Sequence, residues 1–266
     1  MFRPRNSINI WHRANSLLSL IPFFGDSCDW TAVFAARQQF PESKKETVMR
    51  TRKESAQSRW GMTRDEIRVF KALNTPIKIQ NFLDGLPYNT DDISRSPRYV
   101  LEVSKAQCMD GALFGAAARR VLGHRPLLMD LRAVNDDDHV LAIFKENGRW
   151  GCVSKSNYTT TRYRDPVYRS LRELAMSFFD VYFNSIGQKT LREYSVPLDL
   201  ARYDKINWMT TREDLSDLGW DLDRVRHYFL ITPAMARALP KAPAALVKFG
   251  LSEANPAGLF QPRKRS

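Results

Sequence analysis

The chain has 266 residues, of which 43% are hydrophobic and 26% charged, a composition typical of a globular protein with a core of its own. Its three cysteines, Cys28, Cys108 and Cys152, are too few for a disulfide framework, and their odd number favours a reducing compartment, so we expect a cytoplasmic protein. The four histidines lack the spacing of zinc ligands, and no apolar run approaches the roughly 20 residues of a membrane span, so we expect neither a metal site nor a spanning helix.

The net charge of +12 lies mainly in the two ends of the sequence. Residues 1–61 contain ten basic and five acidic side chains, residues 237–266 contain six and one, and residues 62–236 contain 25 and 23. We therefore predict a poorly ordered basic extension over 1–61, a folded domain over 62–236 and a basic tail over 237–266. Basic flanks also favour nucleic acid as an alternative partner.

The first predicted elements are helices. Thr63 followed by Glu66 has the pattern of a capping box, and apolar residues at near-helical spacing come after it. A second helix is predicted over 76–86, because Pro76 suits a first helical turn and an apolar stripe follows. Residues 87–98 are rich in Asp, Asn, Ser and Pro, which predicts a loop.

The stretch 108–123 predicts a buried helix. It is apolar on most sides for about three turns, unlike an amphipathic surface helix. Its small residues allow neighbouring backbones to approach closely. We expect the helix to begin at Cys108 and to stop at Gly123.

Three strands are predicted next, over 127–134, 139–145 and 149–154. Asn147 and Gly148 separate the second strand from the third and are a strong signal for a tight hairpin. If these two residues form the loop, Glu146 pairs with Arg149 and the register of the whole hairpin follows. That register pairs His139 with Ser156 and places on one face of the sheet His139, Leu141, Ile143, Cys152, Ser154 and Ser156.

Helical spacing returns after the hairpin, over 167–183, 211–218 and 221–229. The order of elements predicts an α+β fold in which a buried cysteine helix packs on an antiparallel sheet and further helices lie C-terminal to it.

Cys108 and His139 are the candidate catalytic residues. The unpaired N–H groups and dipole of a helix N-terminus stabilise a thiolate, so we expect the pKa of the Cys108 thiol to lie below about 7.5. The same N–H groups suit the oxyanion of a tetrahedral intermediate. Such a nucleophile needs a base within hydrogen-bonding reach, and His139 is the candidate.

These features together resemble the transglutaminase-like superfamily, whose core is papain-like. A cysteine opens a small-residue helix, a strand begins with histidine, and a hairpin ends in Gly-x-Trp; Cys108, His139 and Trp150 match those positions. The resemblance covers about residues 76–156. It implies an enzyme without a cofactor that acts on a peptide or protein amide as a protease, an amidase or a transglutaminase.

The sequence departs from the family at the position of the acidic residue, which falls on Ser154. Serine can orient the imidazole by a hydrogen bond but brings no charge to stabilise the imidazolium, so we expect a weaker ion pair. Three orienting groups stay open: Ser154 itself, then Asn157 if the strand bulges, and then a carboxylate from the loop 136–138.

Two further interpretations stay open. A catalytically inactive relative that serves as a binding or scaffold module would also lack the acidic residue. Taken singly, a cysteine in an apolar helix and a histidine on a strand are most often packing residues, and Cys152 is interpreted in that way. A basic nucleic-acid-binding protein is the third function, and it depends on the flanks alone.

Overall fold

The structure is a computed structural model, and it describes residues 60–263. The predictions for residues 1–59 lie outside that part of the chain. Its α-helices are α1 (Arg64–Ala72), α2 (Pro76–Asp84), α3 (Pro97–Val103), α4 (Cys108–Val121), α5 (Leu171–Met176), α6 (Ser216–Arg224), α7 (Pro233–Ala238) and α8 (Ala244–Gly250). Short 3₁₀-helices cover Thr159–Thr161, Phe179–Val181, Leu200–Ile206 and Pro256–Gly258.

The described strands form one antiparallel sheet of seven strands. They are β1 (Leu127–Ala133), β2 (His139–Glu146), β3 (Arg149–Val153), β4 (Arg164–Tyr168), β5 (Leu191–Ser195), β6 (Leu198–Asp199) and β7 (His227–Phe229). Their order is β4-β3-β2-β1-β5-β7, and β6 also pairs with β1. The predicted α+β class and antiparallel sheet are confirmed.

Local signals position the N-terminal helices as predicted. At α1, Thr63 Oγ1 accepts a hydrogen bond from the Glu66 N–H at 3.2 Å and Glu66 Oε2 accepts one from the Thr63 N–H at 2.6 Å, so the capping box forms. Helix α2 begins at Pro76, and α4 begins at Cys108. The first turn of α4 therefore contains the candidate nucleophile.

The helical predictions after the hairpin are wrong in part. The stretch 167–183 begins inside β4 and contains only the short helix α5 before a 3₁₀ turn. Of the two helices predicted over 211–218 and 221–229, one forms, as α6, and the end of the second stretch is strand β7. Asp214 Oδ1 accepts a hydrogen bond from the Ser216 N–H at 3.0 Å, so the helix starts after Asp214 instead of at Thr211.

Helix α3 was not predicted, because its first residue lies inside the polar stretch 87–98. Ser96 Oγ accepts a hydrogen bond from the Tyr99 N–H at 3.2 Å, and Pro97 occupies the first turn. Ser followed by Pro is therefore a helix start here, although the same residues are common in turns.

The predicted hairpin register is confirmed as far as the ladder extends. Glu146 pairs with Arg149, and the pairing continues to Ala142 with Val153. Asn147 has a φ of 48° and Gly148 a φ of 75°, the left-handed conformation that a two-residue hairpin loop requires. The ladder ends at Val153, so the predicted cross-strand pairing of His139 with Ser156 does not form.

Helix α4 packs on the face of the sheet that carries Ala142 and Val153. A Cβ atom added at Gly115 would lie 2.5 Å from Val153 Cγ2 and 2.9 Å from Ala142 Cβ, so the contact requires glycine. The small residues of α4 thus allow the close approach that the sequence predicts.

The opposite face of the sheet carries a second apolar cluster, which includes Leu141, Ile143 and Cys152 together with Phe178 of the connection after α5. Cys152 is fully buried there, as expected for a packing residue. The predicted shared face of Leu141, Ile143 and Cys152 is therefore observed.

The predicted basic tail over 237–266 is folded as far as the structure describes it. It contains α8, and its last 3₁₀ turn is held by Asn157, whose Nδ2 donates hydrogen bonds to the carbonyls of Asn255 and Gly258 at 2.9 and 3.0 Å. This segment therefore belongs to the domain. Among residues 60–263, no helix has both the length and the apolar character needed to cross a bilayer.

Candidate active site

A cavity of about 480 Å³ lies where α4 and β2 begin and the C-terminal segment returns to the sheet. We call it the cysteine cavity. The candidate residues Cys108, His139 and Asn157 border it, as do the three carboxylates of the loop 136–138. Ser154 does not border the cavity, but its Oγ lies 3.2 Å from Nε2 of the His139 ring.

Cys108 is half-buried at the first position of α4. Its thiol donates to Gln107 Oε1 at 3.5 Å. Burial raises the pKa of the thiol to about 12, although hydrogen bonds to the sulfur from the backbone N–H groups of Val140 and Met109 oppose the rise. The expected pKa below about 7.5 is therefore wrong for this conformation, in which the Cys108 side chain is a neutral thiol.

The His139 ring is held by one nitrogen. Its Nε2 lies 2.9 Å from the Thr161 carbonyl oxygen and 3.2 Å from Ser154 Oγ. Because a carbonyl can only accept, Nε2 carries the hydrogen and Nδ1 is the basic nitrogen of the neutral ring. Burial lowers the pKa of His139 to about 4, and the positive charge of Arg164 adds to this effect, so the ring is neutral at pH 7.

Sulfur and ring approach the cysteine cavity from different sides of the sheet. Helix α4 packs on the face of Val140 and Ala142, and the sulfur lies at the Val140 N–H. The His139 ring leaves β2 on the other face, where it contacts Tyr182 edge-on at 6.5 Å between centroids. No hydrogen bond joins sulfur and ring in the described part of the chain; they share the cavity that both border.

The group that orients His139 was only partly predicted. Ser154, the first alternative, does contact the ring, but the shorter contact is the main-chain carbonyl of Thr161. Asn157, the second alternative, does not orient the ring, because its amide is hydrogen bonded to the C-terminal segment at Asn255 and Gly258. Every residue has a main-chain carbonyl, so no residue type in the sequence could indicate that this one contacts the ring.

The carboxylates of the loop 136–138 do not orient His139 either. Asp136 Oδ2 accepts from Thr190 Oγ1, and Asp138 Oδ1 accepts from the Ala133 N–H, both at 2.7 Å. Burial raises the pKa of Asp136 and of Asp138 to about 6 in each case. All three residues border the cysteine cavity, where they contribute charge instead of ring contacts.

Two polar residues that were not predicted from the sequence, Gln107 and Asn89, lie next to the first turn of α4. Gln107 precedes Cys108 and accepts from its thiol, and its N–H donates to Asp110 Oδ2 at 3.0 Å. Asn89 lies beside this turn, since its N–H donates to the Ala106 carbonyl at 3.0 Å. Both side chains border the cavity, and neither stands in a sequence pattern that indicates a site.

Comparison with known proteins adds no family to this geometry. No family model matches the chain, and no curated protein matches it. The transglutaminase-like resemblance therefore continues to rest on Cys108, His139 and Trp150, and it stays a prediction.

Proposed function

We propose that the protein performs thiol-dependent acyl transfer or amide hydrolysis on peptide or protein amides, with Cys108 as nucleophile and His139 as base. One observation carries the proposal. A thiol at a helix N-terminus and an imidazole with a basic Nδ1 border the same cavity, which is large enough for part of a peptide.

The raised pKa of Cys108 and the lowered pKa of His139 favour general-base attack over a preformed ion pair. The thiol proton passes to His139 Nδ1 as the sulfur bonds to the substrate carbonyl carbon, whose oxygen becomes the oxyanion. The leaving amine then takes that proton, which leaves a thioester on Cys108. Water or an amine then attacks the thioester carbon and gives a proton to Nδ1; the C–S bond breaks, the acyl product leaves, and Nδ1 returns the proton to the sulfur, which restores the thiol.

The Thr161 carbonyl supports this cycle because it accepts from Nε2–H while the ring is transiently cationic. A carbonyl dipole stabilises an imidazolium less than a carboxylate does. We therefore expect slow turnover. Because sulfur and ring are not hydrogen bonded, substrate binding must also bring them together in the cavity.

The test is a peptide vinyl sulfone, which forms a stable thioether with an activated thiol, followed by peptide mapping by mass spectrometry. We expect the adduct at Cys108 in the wild type and in the control variant Cys152→Ser. In His139→Gln the labelling rate should fall about 100-fold, the lower end of general-base contributions. Equal labelling of Cys28, Cys108 and Cys152, or an unchanged rate in a folded His139→Gln variant, would contradict the proposal.

A binding or scaffold module is the second candidate function. It is favoured by the neutral thiol, the neutral ring and the serine at position 154. In that case the cavity binds a peptide without forming an adduct. Peptide affinity would then be unchanged in Cys108→Ala, and the vinyl sulfone would show no preference for Cys108.

A further inference from the structure

The cysteine cavity is acidic although the protein is basic. The chain has a net charge of +12, yet none of the described residues that border the cavity is lysine or arginine. Its border contains five carboxylates, those of Asp91, Asp92, Asp136, Asp137 and Asp138. The charge of the cavity lining is therefore opposite in sign to the net charge of the chain.

The five carboxylates differ in the hydrogen bonds and ion pairs that they make with other groups of the protein. Asp91 is paired with Lys105 at 2.8 Å and with Arg95. Asp136 and Asp138 accept the hydrogen bonds described above. In the part of the chain that the structure describes, the carboxylates of Asp92 and Asp137 accept no hydrogen bond and join no ion pair. Their charges are therefore available to a ligand, and that of Asp137 also acts on the groups inside the cavity.

The negative charge reaches the phenol groups inside the cavity. Burial raises the pKa of Tyr88 above its ordinary value, and the charge of Asp137 raises it further. Burial and the charges of Asp136 and Asp137 do the same to Tyr158. Burial also raises the pKa of the Cys108 thiol, and the charges of Asp110 and, to a smaller extent, Asp137 add to that rise. The field of Asp137 thus extends from the border of the cavity to the nucleophile.

A second feature indicates that the cavity binds a polar ligand. Asn89 is only 2% exposed, and its Nδ2 has no partner at hydrogen-bonding geometry. Burial raises the pKa of the Asp110 carboxyl to about 6, and the nearby Asn89 amide makes this rise smaller. An amide NH2 has two N–H donors, and Asp110 can take only the one that faces it, so a ligand carbonyl oxygen in the cavity would supply the missing second acceptor.

Aromatic side chains complete the lining. Tyr88, Tyr158, Tyr182, Phe183 and Phe260 border the cavity, and Tyr158 packs edge-on against Phe183 at 5.9 Å. Aromatic faces together with carboxylates are the surroundings that alkylammonium and guanidinium groups prefer. The same lining repels the phosphates of a nucleic acid.

We propose that the cysteine cavity selects amides that carry a positive charge, such as a lysine or arginine side chain or a free amine close to the carbonyl under attack. In this arrangement Asp137 contacts the cation and Asn89 donates to a carbonyl oxygen of the same ligand. The inference rests on the proposed function for the chemistry at Cys108, but the binding preference is measured separately from the reaction.

A bound cation would also act on the nucleophile. The charge of Asp137 contributes to the raised pKa of the Cys108 thiol. A cation paired with Asp137 neutralises that charge, so the pKa of Cys108 falls when the preferred substrate is bound. Selectivity and activation then depend on the same carboxylate.

The test uses the full-length Cys108→Ala variant, which cannot react, and three acetylated, amidated pentapeptides that differ at the central residue: lysine, norleucine or glutamate. Isothermal titration calorimetry at low salt should show the lysine peptide binding about tenfold more tightly than the norleucine peptide, and the glutamate peptide most weakly. In a Cys108→Ala/Asp137→Asn double variant, the lysine preference should fall to about twofold. Asp217→Asn, which removes an exposed carboxylate of α6 outside the cavity, is the matched control.

Three outcomes overturn the inference: equal affinities for the three peptides, a lysine preference that survives Asp137→Asn, or a cavity that Ca²⁺ saturates in competition with the lysine peptide. A lysine preference without any vinyl sulfone adduct at Cys108 in the wild type would instead contradict the proposed reaction and support the charge selection. Circular dichroism of each variant shows that the fold is retained.

Discussion

Two histidines with buried side chains lie on the same sheet, and their pKa values are shifted in opposite directions. His139 on β2 has acceptors at one nitrogen only, since Nε2 faces the Thr161 carbonyl and Ser154 Oγ, and burial lowers its pKa to about 4. His227 on β7 has two acceptors, since Nδ1 lies 2.8 Å from the Val225 carbonyl and Nε2 lies 3.1 Å from Asp130 Oδ2. Although burial lowers the pKa of His227, these hydrogen bonds raise it overall.

The difference shows what a carboxylate does for a buried imidazole. Both ring nitrogens of His227 face acceptors, the Val225 carbonyl and the Asp130 carboxylate, so its environment favours the imidazolium and raises its pKa. His139 has no carboxylate partner in the described part of the chain, and burial favours its neutral form with Nδ1 as the basic nitrogen. The same side chain is favoured as a cation at one site and is a candidate base at the other.

The largest effect is expected from removing the carboxylate at His227. The side chains of His227 and Asp130 are only 4% and 6% exposed, so Asp130→Asn leaves a buried imidazolium without its counter-charge. We expect a loss of about 3 to 5 kcal/mol in the free energy of unfolding, measured by urea denaturation at pH 6. The pKa of His227, followed by NMR, should fall in the same variant.

The control is Asp223→Asn, which removes an exposed carboxylate paired with Arg132 and should cost less than about 1 kcal/mol. If the two variants lose similar stability, or if the pKa of His227 does not fall, then His227 is a neutral histidine and the contrast with His139 disappears.

A second prediction concerns the pH dependence that His139 gives to stability. The unfolded ring has a pKa near 6.5, and the folded ring has one of about 4. As the pH falls between these values, only the unfolded state takes up the proton, so the native state loses up to about 3 kcal/mol from this group. His139→Gln should remove that loss, which urea denaturation at pH 7, 6, 5 and 4 would detect.

The matched variant His227→Gln should behave in the opposite way. Because the pKa of His227 is raised in the folded state, its contribution is fully present below about pH 6.5 and is lost as the pH rises through the folded pKa. The destabilisation caused by His227→Gln should therefore be greatest at low pH. Parallel pH profiles for the two variants would show that the two rings are in the same protonation state.

How far the sequence predicts this molecule depends on whether a signal is local. The capping box at Thr63 and Glu66, the start of α4 at Cys108 and the Asn147–Gly148 hairpin are local, and each is confirmed. The start of α6 was misplaced because Thr211 and Asp214 both suit a cap, and the contacts of Asp214 with Ser94 and Ser216 decide between them. Tertiary contacts of this kind leave no periodic pattern.

The candidate site shows the same limit. The hairpin register correctly places Ser154 within reach of His139, since pairing in a two-residue hairpin follows from the turn. Three other features depend on contacts between segments that are distant in sequence. They are the contact of His139 with the Thr161 carbonyl, the hydrogen bond from Asn157 to the Asn255 carbonyl, and the effect of the Asp137 charge on the cavity. The raised pKa of Cys108 could not be predicted either, because burial at the start of a helix depends on what covers it.

The smallest effect is expected at Ser154, and it tests which group orients His139. Ser154 Oγ lies 3.2 Å from Nε2, and its hydroxyl also donates to the Thr161 carbonyl at 3.1 Å. In Ser154→Ala the ring keeps its shorter contact with Thr161, so we expect a loss of only about 1 kcal/mol and the same tautomer by ¹⁵N NMR. Ser156→Ala is the matched control, because that buried hydroxyl contacts Thr161 Oγ1 at 2.6 Å and does not contact the ring.

A change of tautomer in Ser154→Ala alone would make the serine hydroxyl the orienting group. The contact with the Thr161 carbonyl would then not determine the tautomer, and Nδ1 could no longer be assigned as the basic nitrogen from that contact. The proposed direction of proton transfer from Cys108 depends on that assignment, because Nε2 is turned toward Ser154 and Thr161. The contrast between His139 and His227 thus reduces to one question, which nitrogen of His139 carries its hydrogen.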